Sequence, residues 1–187
     1  MSKLSSWKPV FKFLSMLFAT LAGSALFSSC MGKIMSCMEK ELKPLNHEDV
    51  KYLVVHCAGN RCNQPLTVDG LTNTGIERFG QVSYHYYVRR DGSIIPTLSE
   101  SVRGVHAVGY NRCSLGICYE GGLDEHGVAT DTRTQLQKHA LYELLKQLHE
   151  DYPKARIVGH RELPGVHKDC PGFTASKEYA DLQPDGH

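Results

Sequence analysis

An α/β domain with a mixed central β-sheet flanked by helices is the fold class this sequence predicts, and three observations carry it. Short apolar, β-rich runs recur along the chain. One long amphipathic stretch at helical spacing interrupts them, and one turn folds two of the runs back on each other. Strands and helices therefore alternate, with a hairpin among them.

The elements follow in order. Tyr52-Leu53-Val54-Val55 reads as a buried central strand. Residues 82–89, rich in tyrosine and valine, form a second strand closed by the turn Arg90-Asp91-Gly92. Residues 93–97 return from that turn as the other arm of a hairpin. Residues 115–119 are a further strand before Gly121-Gly122. The clearest helix spans 132–151: Leu136, Leu141, Leu144, Leu145, Leu148 and Tyr152 share one face. Thr132 with Gln135 fits a capping box, and Pro153 stops the helix. Arg156-Ile157-Val158 is the last strand, and a loop rich in proline and glycine covers 159–172.

Composition sets the limits. A chain of 187 residues supports one domain with a real core, and 41% hydrophobic with 22% charged residues describes a globular protein. A formal net charge of +1 and no basic stripe argue against a nucleic-acid partner. The expected state is a monomer. Of the 7 cysteines (Cys30, Cys37, Cys57, Cys62, Cys113, Cys118 and Cys170) at least one cannot pair. No CxxC pair occurs, which excludes the common zinc ribbons. Cys62 and Cys113 are a candidate disulfide if the protein is exported.

Export is expected from the N-terminus. Lys3, Lys8 and Lys12 precede an apolar run at 13–27, and Ser28-Ser29-Cys30 follows. The run is shorter than the roughly 20 residues that a spanning helix needs. Cysteine after two small residues resembles a lipoprotein signal, with Cys30 lipidated to give a membrane anchor in the cell envelope. Phe27 departs from the aliphatic residue usual at its place. A cytoplasmic protein is the alternative if this segment is not a functional signal. The chain thus divides into a signal at 1–30, a tether at 31–49, a domain at 50–180 and a tail at 181–187.

Two histidines end strands: His56 the first and His160 the last. Polar residues there lie at a sheet rim, where a rigid base can carry a site. Cys170, followed by Pro171, is a third donor. Two imidazoles and a thiolate make a tetrahedral zinc site with one open position, the catalytic pattern. Their spacing is too irregular to stand as a motif. Cys57 adjoins His56 and points to the opposite face if the strand continues. His106 and His167 lie in loops, as substrate contacts or as surface residues.

Seven blocks appear in order: Val54-Val55-His56-Cys57-Ala58, Ser83-Tyr84-His85-Tyr86, Arg90-Asp91-Gly92, His106-Ala107-Val108-Gly109-Tyr110-Asn111, Ser114-Leu115-Gly116-Ile117, Val158-Gly159-His160-Arg161-Glu162 and Lys168-Asp169-Cys170-Pro171. Together they resemble the type 2 N-acetylmuramoyl-L-alanine amidases, which include phage lysozyme-type amidases and animal peptidoglycan recognition proteins. The resemblance spans about residues 50–180. It implies a peptidoglycan recognition protein-like fold and hydrolysis of the amide between N-acetylmuramic acid and L-alanine, with peptidoglycan or its muropeptides as partner. It implies one Zn2+ per chain held by His56, His160 and Cys170, and Tyr84 with Lys168 as the catalytic pair. His85, His106 and Asn111, inside the matching blocks, are read as substrate contacts. A binding module that recognises peptidoglycan without cutting it is the alternative, and such relatives typically lack the ligand cysteine.

Three departures stand out. Cys118 occupies a position where some relatives carry a glutamate base. Residues 67–80 are usually helical in relatives, yet Gly70, Asn73 and Gly75 weaken a helix here. Thr174 replaces a common aspartate and is read as a local capping change.

Overall fold

Five strands form the central sheet in the order β4-β3-β5-β1-β7, with β1 at Tyr52–Cys57, β3 at Tyr86–Val88, β4 at Ile94–Pro96, β5 at Ser114–Tyr119 and β7 at Arg156–Gly159. The computed structural model describes residues 42–184. The signal at 1–30 with Cys30, Cys37 and most of the tether lie outside the described residues. Only β3 and β4 pair antiparallel; β3, β5, β1 and β7 are parallel neighbours. The expected mixed sheet is therefore present.

The three inner strands are buried on both faces, which suits their apolar sequences. One face carries Leu53, Val55, Leu115, Ile117 and Ile157 against the helix α2, Gln135–Asp151. The other carries Val54 and Val158 with Ala107 and Leu163, and Tyr87 with Cys118 and Leu71. A small parallel pair, β2 at Asn60–Arg61 with β6 at Gly122–Leu123, lies beyond the ends of β1 and β5.

The helix start differs from expectation by one reading of the same spacing. Thr134, not Thr132, is the cap: its Oγ1 accepts from Gln137 N–H, and the Gln137 side chain accepts from Thr134 N–H. Thr132 is occupied elsewhere, its Oγ1 accepting from Gly122 N–H at 2.7 Å. The inward stripe consequently begins at Gln137, whose amide donates to the carbonyls of Val88 and Glu120. Leu136 is displaced from that stripe and 59% exposed.

Residues 67–80 correct the expectation of a weakened helix, because α1 runs over Val68–Phe79. Thr67 caps it through Oγ1 to Gly70 N–H, and Gly80 closes it at φ 78° with its N–H on Ile76 O. Two interior glycines cost about 2 kcal/mol against alanine. A threonine cap returns about 1 kcal/mol, and burying Leu71 returns about 2 kcal/mol more. Packing therefore outweighs propensity.

The second expected strand, 82–89, pairs regularly only over Tyr86–Val88. Its first half makes scattered bonds instead: Val105 N–H to Ser83 O, Thr97 N–H to His85 O, and His85 N–H to Gly116 O of β5. The domain also reaches past its expected limits. Leu45 and Val50 are buried, and Pro44 bridges Val102. At the far end Leu182 is buried, and the Gln183 amide bonds both the N–H and the carbonyl of Ile157. Gln183 thus satisfies the open edge of β7.

Cys62 and Cys113 are both free. Cys113 adjoins the start of β5, with its carbonyl on Lys51 N–H, whereas Cys62 follows the end of β1. A parallel strand of this length separates them by about 17–20 Å, far beyond disulfide reach.

Gly75 faces the loop that carries Tyr84. A Cβ there would lie 2.8 Å from Ser83 Oγ and 3.0 Å from Gln81 O. Gly75→Ala gains about 1 kcal/mol of helix propensity and loses about 1–3 kcal/mol to overpacking. A net loss is expected, read as a lowered midpoint in urea unfolding; a raised midpoint would show that the loop yields freely.

Candidate metal centre

Parallel pairing brings the donors together. Val55 of β1 lies opposite Gly159 of β7, so His56 and His160, each one residue further on, leave the same rim side by side. Their rings are 4.6 Å apart between centroids. His56 is the fifth residue of β1 and 1% exposed; His160 opens a short 3₁₀ turn, His160–Glu162.

Cys170 arrives from the loop, and three contacts hold it. Arg161 N–H donates to Cys170 O at 2.7 Å, and Cys57 N–H donates to Cys170 Sγ at 3.3 Å. Sγ also lies 3.7 Å from His56 Nδ1. The peptide to Pro171 is cis. One ligand atom from each of His56, His160 and Cys170 falls within 4.8 Å of the others. The donor set fits a zinc ion in kind: two imidazole nitrogens and one cysteine sulfur, close enough together to share one cation.

Electrostatics match that use. Burial, aided by His106, His160 and Lys168, pushes His56 well below the usual histidine range. Burial and Lys168 lower His160 as well. Both rings are therefore neutral at neutral pH, the form that ligates. The neighbouring Cys57 side chain and burial push the Cys170 thiol up, against the opposite pull of the Cys57 N–H, so metal binding there must displace a proton.

Tyr84 and Lys168 flank the cluster. The Tyr84 ring lies 5.1 Å from that of His56, and burial raises its hydroxyl well above the ordinary tyrosine range, so it stays a phenol. Lys168 is exposed, yet its ammonium bears on both histidines.

The three expected substrate contacts, His85, His106 and Asn111, lie around the cluster with these partners. His85 is fully buried: its Nδ1 accepts from Gly116 N–H at 2.9 Å, so its Nε2–H donates to Val102 O at 2.9 Å. No nitrogen remains for a substrate. Asn111 Oδ1 accepts from the N–H groups of His106 and Ala107, which shapes their loop. His106 is buried behind His56, with Nδ1 at 3.0 Å from His56 Nε2. His106 touches the cluster directly, the His85 ring lies 5.8 Å from that of His106, and Asn111 holds the His106 main chain.

Cys118 pairs with His56 across β1 and β5 and is fully buried, with its thiol raised by burial. It has no means to act as a base. Thr174 makes no side-chain cap to the helix α3, Ala175–Glu178; Glu162 serves instead, accepting from Ser176 N–H and Oγ. Glu162 also accepts from Gly159 N–H at 2.7 Å, which ties the end of β7 to α3. Sequence reasoning gave Glu162 and Cys57 no role beyond block membership. Cys57 meets Cys170 from far along the chain, and Glu162 reaches Ser176 across 14 residues, which no local signal marks.

Residues 46–173 match the family model described as N-acetylmuramoyl-L-alanine amidase. The chain belongs to the N-acetylmuramoyl-L-alanine amidase family. The amidase-family chain is 32% identical to the endolysin of Enterobacteria phage K11 over 127 residues, which is 67% of this chain and 83% of that protein. The endolysin of Escherichia phage T7 is also 32% identical over 127 residues, with 67% and 83% covered. Among solved structures, N-acetylmuramoyl-L-alanine amidase LysC from Clostridium intestinale superposes with a TM-score of 0.61 at 26% identity, covering 75% of this amidase-family chain and 90% of LysC. Peptidoglycan recognition protein-LE, solved with tracheal cytotoxin, shares the fold at a TM-score of 0.56 and 24% identity, with 71% and 79% covered.

His85 makes the frame acid-sensitive. Burial pushes it down to about 4 from an ordinary value near 6.5. Between those values the unfolded chain binds the proton and the folded one does not, so stability is full above about pH 6.5 and falls as pH drops toward about 4. His85 alone accounts for about 3 kcal/mol of that fall. Melting temperatures of the metal-free protein from pH 7 to 4 should decline steadily; a flat profile would exclude this origin.

Proposed function

We propose that this protein is a zinc amidase that hydrolyses the bond between N-acetylmuramic acid and L-alanine in peptidoglycan. One observation carries the reading: in a chain of the amidase family, His56, His160 and Cys170 bring three ligand atoms within 4.8 Å of one another. Two phage endolysins among its relatives support a wall substrate. Access to that substrate requires release or export, and the basic and apolar start ending in Cys30 fits export.

When bound, zinc supplies a Lewis acid and a water acidified to a pKa of about 7. The chain's own groups do the rest. His56 and His160 stay neutral through burial and so remain donors at working pH. Lys168 places an exposed ammonium beside the cluster, where negative charge develops on the carbonyl oxygen during attack. The Tyr84 hydroxyl, kept protonated, donates a hydrogen bond at the same place. A protonated phenol and an ammonium are not zinc ligands, so each acts on charge rather than on metal retention.

Zinc content, turnover on purified wall and muropeptide affinity separate these parts. Wild type should carry one zinc per chain and release stem peptides starting at L-alanine, detected by mass spectrometry. Cys170→Ala should lose the metal. Lys168→Ala and Tyr84→Phe should keep it and lose about 100- to 1,000-fold in turnover, with affinity changed much less. Wall binding without released peptide would make the protein a recognition module instead.

A further inference from the structure

We propose that His106 is a positioning residue: its Nδ1 accepts the Nε2–H of His56 and thereby fixes which nitrogen His56 presents to the metal. The inference rests on the zinc reading above.

The two nitrogens of His56 have different surroundings. Nδ1 faces Cys170 Sγ at 3.7 Å, within the donor cluster, while Nε2 faces His106 Nδ1 at 3.0 Å. A neutral imidazole that offers its Nδ1 lone pair carries its proton on Nε2 and needs an acceptor there. His85, the neighbouring histidine, is not free to accept, because its Nδ1 already takes Gly116 N–H. His106 therefore accepts at Nδ1, and its own proton sits on Nε2.

That second proton marks the role. His106 Nε2 is buried with no well-aligned hydrogen bond among the described residues, although the Ser114 main chain bears on the ring. Packing alone would favour an apolar side chain over a ring that buries a poorly paired N–H. The seat is built for a ring nonetheless. A Cβ on Gly116 would lie 2.6 Å from His106 Cγ, and one on Gly104 would lie 2.7 Å from Cδ2. Asn111 pins the main chain of His106 and Ala107 at 3.0 and 2.8 Å. The rings of His56 and His106 meet edge to face, at 83° and 5.0 Å. Metal-bound histidines more often donate to a carboxylate or a carbonyl. A neutral imidazole gives the same orientation without burying a charge.

The decisive comparison is His106→Leu against His106→Asn. The two side chains have nearly the same shape, but only asparagine offers an acceptor near the place of Nδ1. Zinc affinity is measured by competition with a chromophoric chelator, and site geometry by the visible bands of the Co2+-loaded protein. His106→Leu should bind zinc about 10- to 100-fold more weakly with shifted cobalt bands, and His106→Asn should recover most of both. Equal weakness in the two variants would reduce His106 to packing. Wild-type affinity in His106→Leu would overturn the proposal with the metal reading intact, whereas a wild type that takes up no zinc would overturn both. If the leucine variant fails to fold, 15N NMR of the zinc-loaded wild type decides. A proton on His56 Nε2 and one on His106 Nε2 support the proposal, and either proton on Nδ1 refutes it.

Discussion

Parallel pairing of β1 with β5 and β7 is the constraint on which the rest depends. Strands that run the same way end on the same rim, and the register Val55 opposite Gly159 puts the next residues, His56 and His160, beside each other. A slip of one residue would turn His56 toward the α2 face and separate the pair. The register holds because both faces of β1 are buried, Leu53 and Val55 on one side and Val54 on the other. Burial that stabilises the sheet therefore also sets the geometry of two donors, with no dedicated contact between them.

The third donor needs a separate solution, since Cys170 lies on a loop. Contacts on both flanks replace the sheet there. Glu162 joins the end of β7 to α3, and the buried Tyr119 hydroxyl donates to Pro171 O. Two residues on, Phe173 lies under the Arg133 guanidinium, 3.3 Å from its ring centroid. Arg133 is itself buried and held by Asp131, Glu178 and the Tyr179 hydroxyl. A buried charge left with a missing partner costs several kcal/mol, so this group is stable only when the whole C-terminal segment is docked. Docking of the segment and placement of the sulfur are one event.

Legibility in the sequence follows from the range of the interactions. The central strands are readable because apolar runs declare themselves locally, and the clustered histidines His56 and His160 because they end strands inside recognisable blocks, whereas Cys170 is marked by its block alone. The helix α1 was misjudged, since Gly75 looks like a helix breaker until the close approach of Ser83 is seen. Thr132 and Thr134 both satisfy the capping spacing, and only the competing bond from Gly122 decides between them. His85, His106 and Asn111 share blocks with the clustered residues, and block membership alone does not tell which of their polar atoms are already bonded within the fold. That distinction is a matter of side-chain direction and partner atoms, which only the fold supplies.

The charge states of the centre follow from the same packing. Burial keeps His56 and His160 neutral, and it keeps the Cys170 thiol protonated through the company of Cys57. The two effects oppose each other where a cation is concerned: neutral imidazoles are ready to bind, and a protonated thiol is not. The N–H of Cys57, already aimed at Cys170 Sγ, eases that conflict because it is a donor that strengthens once the sulfur is charged. Lys168 acts in the other direction, its positive charge opposing a second cation nearby, and its exposure lets it swing away. A buried ammonium at that place would weaken the cluster it serves. On the proposed reading an exposed ammonium meets negative charge only as that charge develops, while two of the three clustered donors, His56 and His160, are fixed at the sheet rim.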